Sequence, residues 1–289
     1  MDIFSNIEIG VKMVESKVLN INSKGELIYI SFPALEKIDF VIHGFSTRKG
    51  GVSKGIYESM NLATGRDDDY ENVVANFNIF CDAIGIDYKD LVFSYQTHDT
   101  NIRIVDENDK GKGITRQRDY TNVDGLVTNV PNVPLLTSYA DCVPLFFVDP
   151  VQKAIGLAHS GWKGTVKKIG GKMIDAFTLN YNSNPKDIIV CIGPSLGPCC
   201  FEVSENVYID FKKMDLDISM YIKEKAKNKY DIDLWSINKD ILLESGVNEG
   251  NITITDLCTK CNSDLFFSHR ATKGQRGALA AVMQIKSKN

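Results

Sequence analysis

Residues 143–165, VPLFFVDPVQKAIGLAHSGWKGT, decide how this chain is built. The apolar runs at 142–149 and 153–159 are typical of short strands buried on at least one face of a sheet. From residue 165 to residue 179 the apolar spacing becomes helical. His159, one of only 4 histidines in 289 residues, therefore ends a strand in a glycine-containing turn that leads to a helix. So scarce a side chain in that position is a candidate for chemistry.

The pattern around this stretch predicts a mixed architecture. We expect a hairpin over 17–32, a strand over 40–46 and a helix over 71–85 capped by Asp68 or Asp69. Further short strands are predicted in LVFSYQ, NIRIV, DGLVTN, VPLLTSYA, DIIVCIG and ITITD, and helices in SENVYIDFKKM, capped by Ser204, and DLWSINKDILLESGV. Strands in clusters with helices between some of them favour an α+β fold, with a mixed sheet flanked by helices, in a single domain over 1–289.

The composition excludes several kinds of protein. A hydrophobic fraction of 43% is enough for a globular core without staples, and a net charge of −4 argues against a nucleic-acid surface. No apolar run approaches the roughly 20 residues of a membrane span, and the N-terminal segment 1–17 lacks a signal-peptide core. The 7 cysteines, an odd number spread over 289 residues, do not have the pattern of a disulfide-linked secreted protein. We expect a cytoplasmic monomer that binds neither nucleic acid nor membrane.

Three predicted strand ends carry side chains of the kind that bind metals. His98 follows LVFSY in Gln96-Thr97-His98, Cys142 follows VPLLTSY in Ala140-Asp141-Cys142, and His159 ends KAIGLAH. Two imidazoles and a thiolate suit a catalytic zinc site with an open fourth position, and the same ligands would accept copper. Asp141, beside the cysteine, is a candidate to orient a ligand or to carry a proton.

The same residues allow a different chemistry. Cys142 activated by His159 would be a thiol nucleophile, and the spacing along the chain does not exclude it. A purely structural role is the alternative: Cys142 would be a small buried apolar side chain, and each histidine a polar side chain whose hydrogen bonds are satisfied. His43 lies inside the predicted strand FVIHGFS, where a core or supporting position is favoured over a ligand position.

Two segments are candidate anion sites. Arg48 lies in STRKGGVSKG, where glycines let backbone N–H groups approach a ligand and the guanidinium can bind phosphate. Lys163 lies in SGWKGTVKK, at the start of a predicted helix. Neither segment is a Walker A motif, and the nucleobase-deaminase signature is absent from the sequence.

The remaining cysteines give a weak signal. Cys258-Thr259-Lys260-Cys261 is a lone CxxC. Cys199 and Cys200 would complete a second metal site with it, but adjacent cysteines are unfavourable ligands for one zinc, so we expect no such site.

Taken together, these motifs resemble a known family. In order along the chain they read HGFSTRKGGVSKGIYESMNL, QTH, DGLVTN, ADCVPLFFVDP, GLAHSGWKGT, IGPSLGPCCFEV and CTKCNSDLFFSHRATKGQRG. They are similar to the laccase-domain, or polyphenol-oxidase-like, proteins over residues 40–283. The sequence departs from many members in one loop, ATGRDDD at 63–69, where a Gly-Asp pair is common.

The resemblance implies a function. The family is known for purine nucleoside phosphorylases acting on adenosine, inosine and methylthioadenosine, with adenosine deaminase activity, and for an older label as copper-dependent polyphenol oxidases. It implies a fold similar to that of a bacterial cytotoxic factor with a cysteine–histidine pair. It also implies a metal, usually zinc, held by His98, Cys142 and His159. The 4 histidines are too few for a four-copper oxidase.

Three hypotheses follow. The first is a metal-dependent purine nucleoside phosphorylase and adenosine deaminase, with Asp141 carrying a proton. Arg48 would hold phosphate, with Lys163 or Arg270 in support and His43 as a further candidate near the substrate. The second is a thiol hydrolase acting on an amide of a cell-wall precursor, with Cys142 as nucleophile and His159 as base. The third, a binding or scaffold protein, is least favoured because no partner surface is evident in the sequence.

Overall fold

A computed structural model describes residues 5–9 and 12–287. Two six-stranded sheets pack face to face, and helices cover the outer face of each sheet. The predicted α+β class is confirmed, with two mixed sheets where one was expected. Part of the N-terminal segment 1–17, for which no signal-peptide core was predicted, lies outside the described residues.

The described residues form seventeen strands and seven α-helices. The strands are β1 (Ser5–Ile9), β2 (Lys12–Ser16), β3 (Asn20–Lys24), β4 (Leu27–Ser31), β5 (Val41–Ser46), β6 (Val92–Phe93), β7 (Ile102–Ile104), β8 (Gly125–Thr128), β9 (Leu135–Tyr139), β10 (Val143–Asp149), β11 (Ala154–Ser160), β12 (Ile189–Ile192), β13 (Glu202–Ser204), β14 (Ile222–Ala226), β15 (Lys229–Ile232), β16 (Ile252–Ile254) and β17 (Leu279–Ile285). The helices are α1 (Pro33–Glu36), α2 (Tyr70–Ile84), α3 (Trp162–Val166), α4 (Ile169–Tyr181), α5 (Glu205–Lys212), α6 (Leu234–Glu244) and α7 (His269–Thr272).

The two large sheets mix parallel and antiparallel pairs. The first has the order β16-β12-β10-β11-β8-β7, and the second has the order β3-β4-β5-β17-β9-β6. The predicted hairpin over 17–32 is β3 and β4, and most of the predicted short strands occur where they were expected. Two smaller sheets, β1-β2 and β13-β15-β14, complete the described strands.

Strand β10 shows why the sheets stack. Every residue of it is buried, so both faces need an apolar partner. Phe146 and Val148 point into the core between the two sheets, while Leu145 and Phe147 pack with α4 and α6 on the outside. Fully burying one such side chain contributes about 1.5–3 kcal/mol.

Helix α2 covers the outer face of the second sheet, close to the predicted span of 71–85. Phe77 and Phe80 pack against Leu136 of β9 and Val282 of β17. Asp69 caps the helix by accepting the N–H of Glu71, as predicted. At the other end Gly85 has φ 77°, a left-handed conformation that glycine adopts without strain.

The helix predicted over 165–179 is two helices, so that prediction was wrong in its bounds. Lys168 between them has φ 55°, a left-handed conformation that interrupts the run of helical hydrogen bonds. Helix α4 packs on the first sheet, whereas α3 begins earlier, directly after Gly161. Ser204 does precede α5, but its side chain makes no capping hydrogen bond.

The chain crosses from the second sheet to the first twice, both times at the same end of the sandwich. One crossing runs from β6 to β7 and the other from β9 to β10. Because β6 and β9 are parallel neighbours, both crossings leave the second sheet at the same edge. Pro144 of β10 pairs with His159 of β11, so the start of β10 lies beside the end of β11. The segments containing His98, Cys142 and His159 therefore meet.

Candidate active site

The three predicted metal ligands lie together at this end of the sandwich. One ligand atom from each of His98, Cys142 and His159 falls within 4.8 Å of the others. The Cys142 sulfur is 3.9 Å from Nε2 of His98, and the two imidazole rings meet edge to face with centroids 4.8 Å apart. His159 is buried and His98 is exposed, so this group of three, the ligand triad, opens to solvent on one side.

Asp124 organises the ligand triad, and the sequence analysis did not single it out. Its Oδ1 lies 2.8 Å from Nδ1 of His159 and accepts the backbone N–H of His98. Its Oδ2 accepts the N–H groups of Thr97 and Asp99. One fully buried carboxylate thus holds both histidine-bearing segments. The feature of the sequence that could have identified it is the Asp-Gly pair at the start of the motif DGLVTN, residues 124–129.

This arrangement fixes which nitrogen of His159 faces the metal position. A proton on Nδ1 is shared with Asp124, which leaves Nε2 directed toward Cys142. Burial alone would raise the pKa of Asp124, but the hydrogen bonds from His159 and Thr97 lower it. A carboxylate therefore stands behind His159.

Cys142 and His159 form a coupled pair. Burial opposes ionisation of the thiol, yet the adjacent His159 and then His98 lower the pKa of Cys142 below its usual value. Burial likewise disfavours the imidazolium, but Cys142 and Asp124 raise the pKa of His159. The thiolate that this pairing favours is the form needed both for metal binding and for nucleophilic attack.

Gly161 explains why glycine follows the scarce histidine. A Cβ at this position would lie 2.8 Å from Cδ2 of His98 and 3.3 Å from the Cys142 sulfur. Its φ of −67° is ordinary, so the requirement is space rather than backbone conformation. Only glycine lets the β11–α3 turn approach the ligand triad this closely.

Two residues of the site have backbones in the left-handed region. His98 has φ 63° and Asp141 has φ 91°. Such conformations are disfavoured for residues with a Cβ and tend to gather at functional sites. Asp141 is held by Thr259, which donates its hydroxyl to Oδ1 at 2.6 Å, and by the N–H of Arg270, which reaches Oδ2 at 2.6 Å.

Two cavities meet at the ligand triad. The arginine cavity, of about 400 Å³, is lined by Arg66, Arg118 and Arg276 together with Phe93 and Tyr95. The aromatic cavity, of about 350 Å³, is lined by Trp162, Phe201, Leu196, Leu234, Asp141 and Arg270. His98, Cys142 and Arg276 border both cavities.

The arginine cavity is prepared for an anion. Burial, and then the like charge of Arg66, lowers the pKa of Arg276 to about 10. The buried Nε of Arg276 has no hydrogen-bond partner within the described part of the chain. Arg118 lies against the rings of Phe93 and Tyr95. Two guanidinium groups that repel each other, one with an unsatisfied donor, are stabilised when a multiply charged anion lies between them.

A family model described as multi-copper polyphenol oxidoreductase laccase matches residues 42–286. The chain belongs to this family. The match agrees with the resemblance seen over residues 40–283.

Curated relatives and solved structures support the assignment to the laccase family. Purine nucleoside phosphorylase YlmD of Bacillus subtilis is 39% identical over 250 residues, covering 85% of this chain and 89% of the relative. A purine nucleoside phosphorylase of Bacteroides thetaiotaomicron is 32% identical, covering 89% and 96%. The crystal structure of YlmD from Geobacillus stearothermophilus has a TM-score of 0.84 at 31% identity, covering 92% of this chain and 99% of that one. The Bacillus licheniformis protein YfiH has a TM-score of 0.86 at 32% identity, with the same coverage.

The anion-binding candidates of this laccase-family chain are scattered. The Arg48 guanidinium donates to the carbonyls of Glu58 and Ser263 and borders a separate cavity. His43 is buried in the core, where its Nε2 accepts the N–H of Phe32. Lys163 is exposed beside Trp162 and lines neither cavity at the triad.

Arg270 alone of these candidates borders the ligand triad. It lines the aromatic cavity, and its guanidinium donates to the carbonyls of Cys200 and Glu202. The sequence analysis missed the cavity arginines Arg66 and Arg276, although both lie in quoted segments, ATGRDDD and TKGQRG. Lone arginines in polar loops give no signal of their own.

The structure also gathers four cysteines that were not expected to meet. The sulfurs of Cys199, Cys200, Cys258 and Cys261 all lie within 4.8 Å of one another. The expectation that Cys199 and Cys200 would not come together with the CxxC segment was therefore wrong about where the four cysteines lie.

None of the described helices combines the length and apolar character needed to cross a bilayer.

Proposed function

We propose that this chain is a purine nucleoside phosphorylase that uses the ligand triad and the two adjoining cavities as one active site. The observation that carries the proposal is the position of the triad, with an arginine-lined cavity on one side and an aromatic cavity on the other. The names of its relatives in Bacillus subtilis and Bacteroides thetaiotaomicron support the same activity.

Phosphate is assigned to the arginine cavity. Arg276 and Arg66 offer the charge and the unpaired donor that an inorganic phosphate would satisfy. In phosphorolysis a phosphate oxygen forms a bond to C1′ of the ribose while the bond from C1′ to the purine nitrogen breaks. Holding phosphate against the boundary between the cavities brings the two reactants together.

The purine is assigned to the aromatic cavity. Trp162 and Phe201 offer flat apolar surfaces, and Leu196 and Leu234 close the cavity between them. Arg270 lies over the Phe201 ring with its guanidinium carbon 5.9 Å from the ring centroid. The bond to be broken then lies near His98 and Cys142, which border both cavities.

The donor set fits zinc. Two imidazoles and one thiol with converging ligand atoms, one imidazole backed by a carboxylate, match a three-ligand zinc site with an open position. A zinc ion bound there would supply Lewis acidity, which stabilises negative charge developing on a reactant. Asp124 would orient His159, and Gly161 would leave room for the His98 ring and the Cys142 sulfur. Copper is the alternative metal for the same ligands.

Adenosine deamination is the second reaction in the proposal. A water oxygen forms a bond to C6 of the purine while the bond from C6 to the amino group breaks, and a proton moves to the ammonia that leaves, so the reaction requires a group that carries a proton. Asp141 is our candidate, because its carboxylate borders the aromatic cavity and is held in place by Thr259 and Arg270.

Product analysis tests both reactions. Purified protein is incubated with adenosine and phosphate, with and without a chelator. Adenine and ribose-1-phosphate are the expected products, inosine indicates deamination, and no turnover with either adenosine or inosine overturns the proposal. His98→Ala and Cys142→Ala should each lose the metal of the ligand triad and the activity together. Full activity in variants that have lost the metal would contradict the role of the triad.

A thiol hydrolase remains the second candidate, because Cys142, His159 and Asp124 also have the order of a nucleophile, a base and an orienting acid. A covalent adduct of Cys142 with an amide or ester substrate in metal-free protein would favour it. Zinc that is lost on His98→Ala, with Cys142 unreactive toward alkylation until the zinc is chelated, would count against it.

A further inference from the structure

A second group of metal-type side chains lies next to the aromatic cavity but outside the ligand triad. Cys199 and Cys200 come from the segment after β12, and Cys258 and Cys261 from the segment after β16. These four, the tetracysteine cluster, have their sulfurs within 4.8 Å of one another. The Cys261 sulfur lies 3.5 Å from the sulfurs of both Cys199 and Cys200.

We propose that the tetracysteine cluster binds one zinc ion as a tetrathiolate structural site. Zinc holds thiolate sulfurs at about 2.3 Å, so the edges of a sulfur tetrahedron around it are about 3.8 Å long. The separations of 3.5 Å, within an overall limit of 4.8 Å, bracket that length. An iron–sulfur cluster interposes several atoms between its cysteines and needs wider spacing.

The surrounding backbone already has the form of a thiolate site. The N–H of Gly197 donates to the Cys258 sulfur at 3.3 Å, and the N–H of Cys261 also donates to Cys258. Hydrogen bonds from backbone N–H groups stabilise the negative charge on a ligating sulfur. The CxxC segment therefore forms a turn in which the sulfur of its first cysteine, Cys258, accepts a backbone hydrogen bond from its last, Cys261, as in a metal-binding turn.

A tight turn lets the adjacent cysteines reach the same point. The N–H groups of Cys200 and Phe201 both donate to the carbonyl of Gly197, at 2.9 and 3.0 Å. Gly197 itself has no room for a side chain, since a Cβ would lie 2.9 Å from the Trp235 ring and 3.2 Å from Cβ of Cys258. This compact turn brings Cys199 and Cys200 against the second segment.

The site would fix one wall of the candidate active site. Asp141 accepts the N–H of Leu196 at its carbonyl and the hydroxyl of Thr259 at its carboxylate. Those two residues belong to the two segments that the cluster joins. Arg270 adds a third link by donating to the carbonyl of Cys200. A metal here would hold Asp141 and Arg270 in position without touching substrate.

Elemental analysis separates this site from the ligand triad. His98→Ala removes a triad ligand and should leave about one equivalent of zinc per chain, while His98→Ala with Cys261→Ser should leave almost none. Cys261 is exposed, so its substitution spares the core. Lys260→Ala, an exposed change in the same turn, is the matched control and should retain the zinc.

Spectroscopy and alkylation give independent readouts. Cobalt(II) loaded into His98→Ala should show the intense sulfur-to-metal charge-transfer absorption of a tetrathiolate site, and Cys258→Ser should weaken it. Cys199 and Cys261 should react with iodoacetamide only after chelation. Equal zinc content with and without Cys261→Ser, iron in place of zinc, or a mass lower by two hydrogens from a disulfide would each overturn the proposal.

Discussion

Nδ1 of His159 lies 2.8 Å from Oδ1 of Asp124, and the same carboxylate accepts three backbone N–H groups of the segment that carries His98. Two of the three candidate metal ligands are therefore positioned by one buried side chain. Asp124 itself lines neither cavity at the triad, so it acts on the site through His98 and His159.

Replacing Asp124 by Asn should weaken metal binding while the protein still folds. The amide keeps the shape but loses the charge that supports His159, and one of its two ends can no longer accept N–H groups. Loss of such a supporting carboxylate typically costs 10–100-fold in metal affinity or activity. Zinc affinity measured by competition with a chromophoric chelator, alongside kcat/KM for adenosine, checks this.

Asp99→Asn is the control for Asp124→Asn, because Asp99 lies in the same segment but pairs with Lys167 at the surface. It should keep its zinc affinity. If both variants lose zinc equally, the effect belongs to the segment as a whole and the specific role of Asp124 is wrong.

Gly161→Ala should damage the site and spare the fold. The new methyl group would lie 2.8 Å from the His98 ring, and because His98 is exposed its ring can swing away without disturbing the core. A ligand displaced by about 1 Å can cost about 100-fold in activity. We expect that loss with an almost unchanged melting temperature.

Gly164→Ala serves as the matched variant, since its Cβ would make only contacts of 3.4 Å or longer. It should retain zinc and activity. Equal activity of the two alanine variants would mean that the space beside His98 is not needed.

The strand and helix pattern was largely predictable from the sequence because β10 and β11 are short apolar runs and α2 has apolar residues at helical spacing. The proximity of His98, Cys142 and His159 was also predictable, since each ends or adjoins a predicted strand; their role as metal ligands stays a prediction. The packing of the two sheets against each other could not be predicted, because it depends on contacts between distant parts of the chain. That stacking decides that the two crossings meet and that the two cavities flank the triad.

The missed residues share a physical cause. Asp124 accepts hydrogen bonds from residues 25–27 positions away, and Arg276 lies near the like charge of Arg66, 210 positions away. Such contacts leave no local periodicity. The tetracysteine cluster was discounted for a local reason, the adjacency of Cys199 and Cys200, which a tight turn overcomes.

Arg276→Met should impair the use of phosphate. Loss of a charged hydrogen-bond donor typically costs 1.5–3 kcal/mol, so we expect kcat/KM for phosphate to fall by about 10–100-fold. A purely structural arginine would also lower the melting temperature when removed. Here the unpaired Nε and the repulsion from Arg66 predict an unchanged or higher melting temperature without phosphate.

Lys163→Ala provides the comparison for Arg276→Met, because Lys163 was a phosphate candidate from the sequence but lines neither cavity. Its KM for phosphate should match that of the wild type. A larger effect from Lys163→Ala than from Arg276→Met would move the phosphate site to the start of α3.

Acid should destabilise the protein partly through His43, which is 7% exposed and lines a cavity other than the two at the ligand triad. Burial lowers the pKa of His43 from 6.5 to about 4, so the unfolded chain takes up a proton that the folded chain refuses. Stability is therefore full above about pH 6.5 and falls as the pH is lowered toward 4, by about 2 kcal/mol at pH 5. His43→Gln keeps an acceptor for the N–H of Phe32 and should flatten the fall in unfolding free energy between pH 7 and pH 5, measured by urea denaturation. An equally steep fall in His43→Gln would show that other groups carry the acid sensitivity.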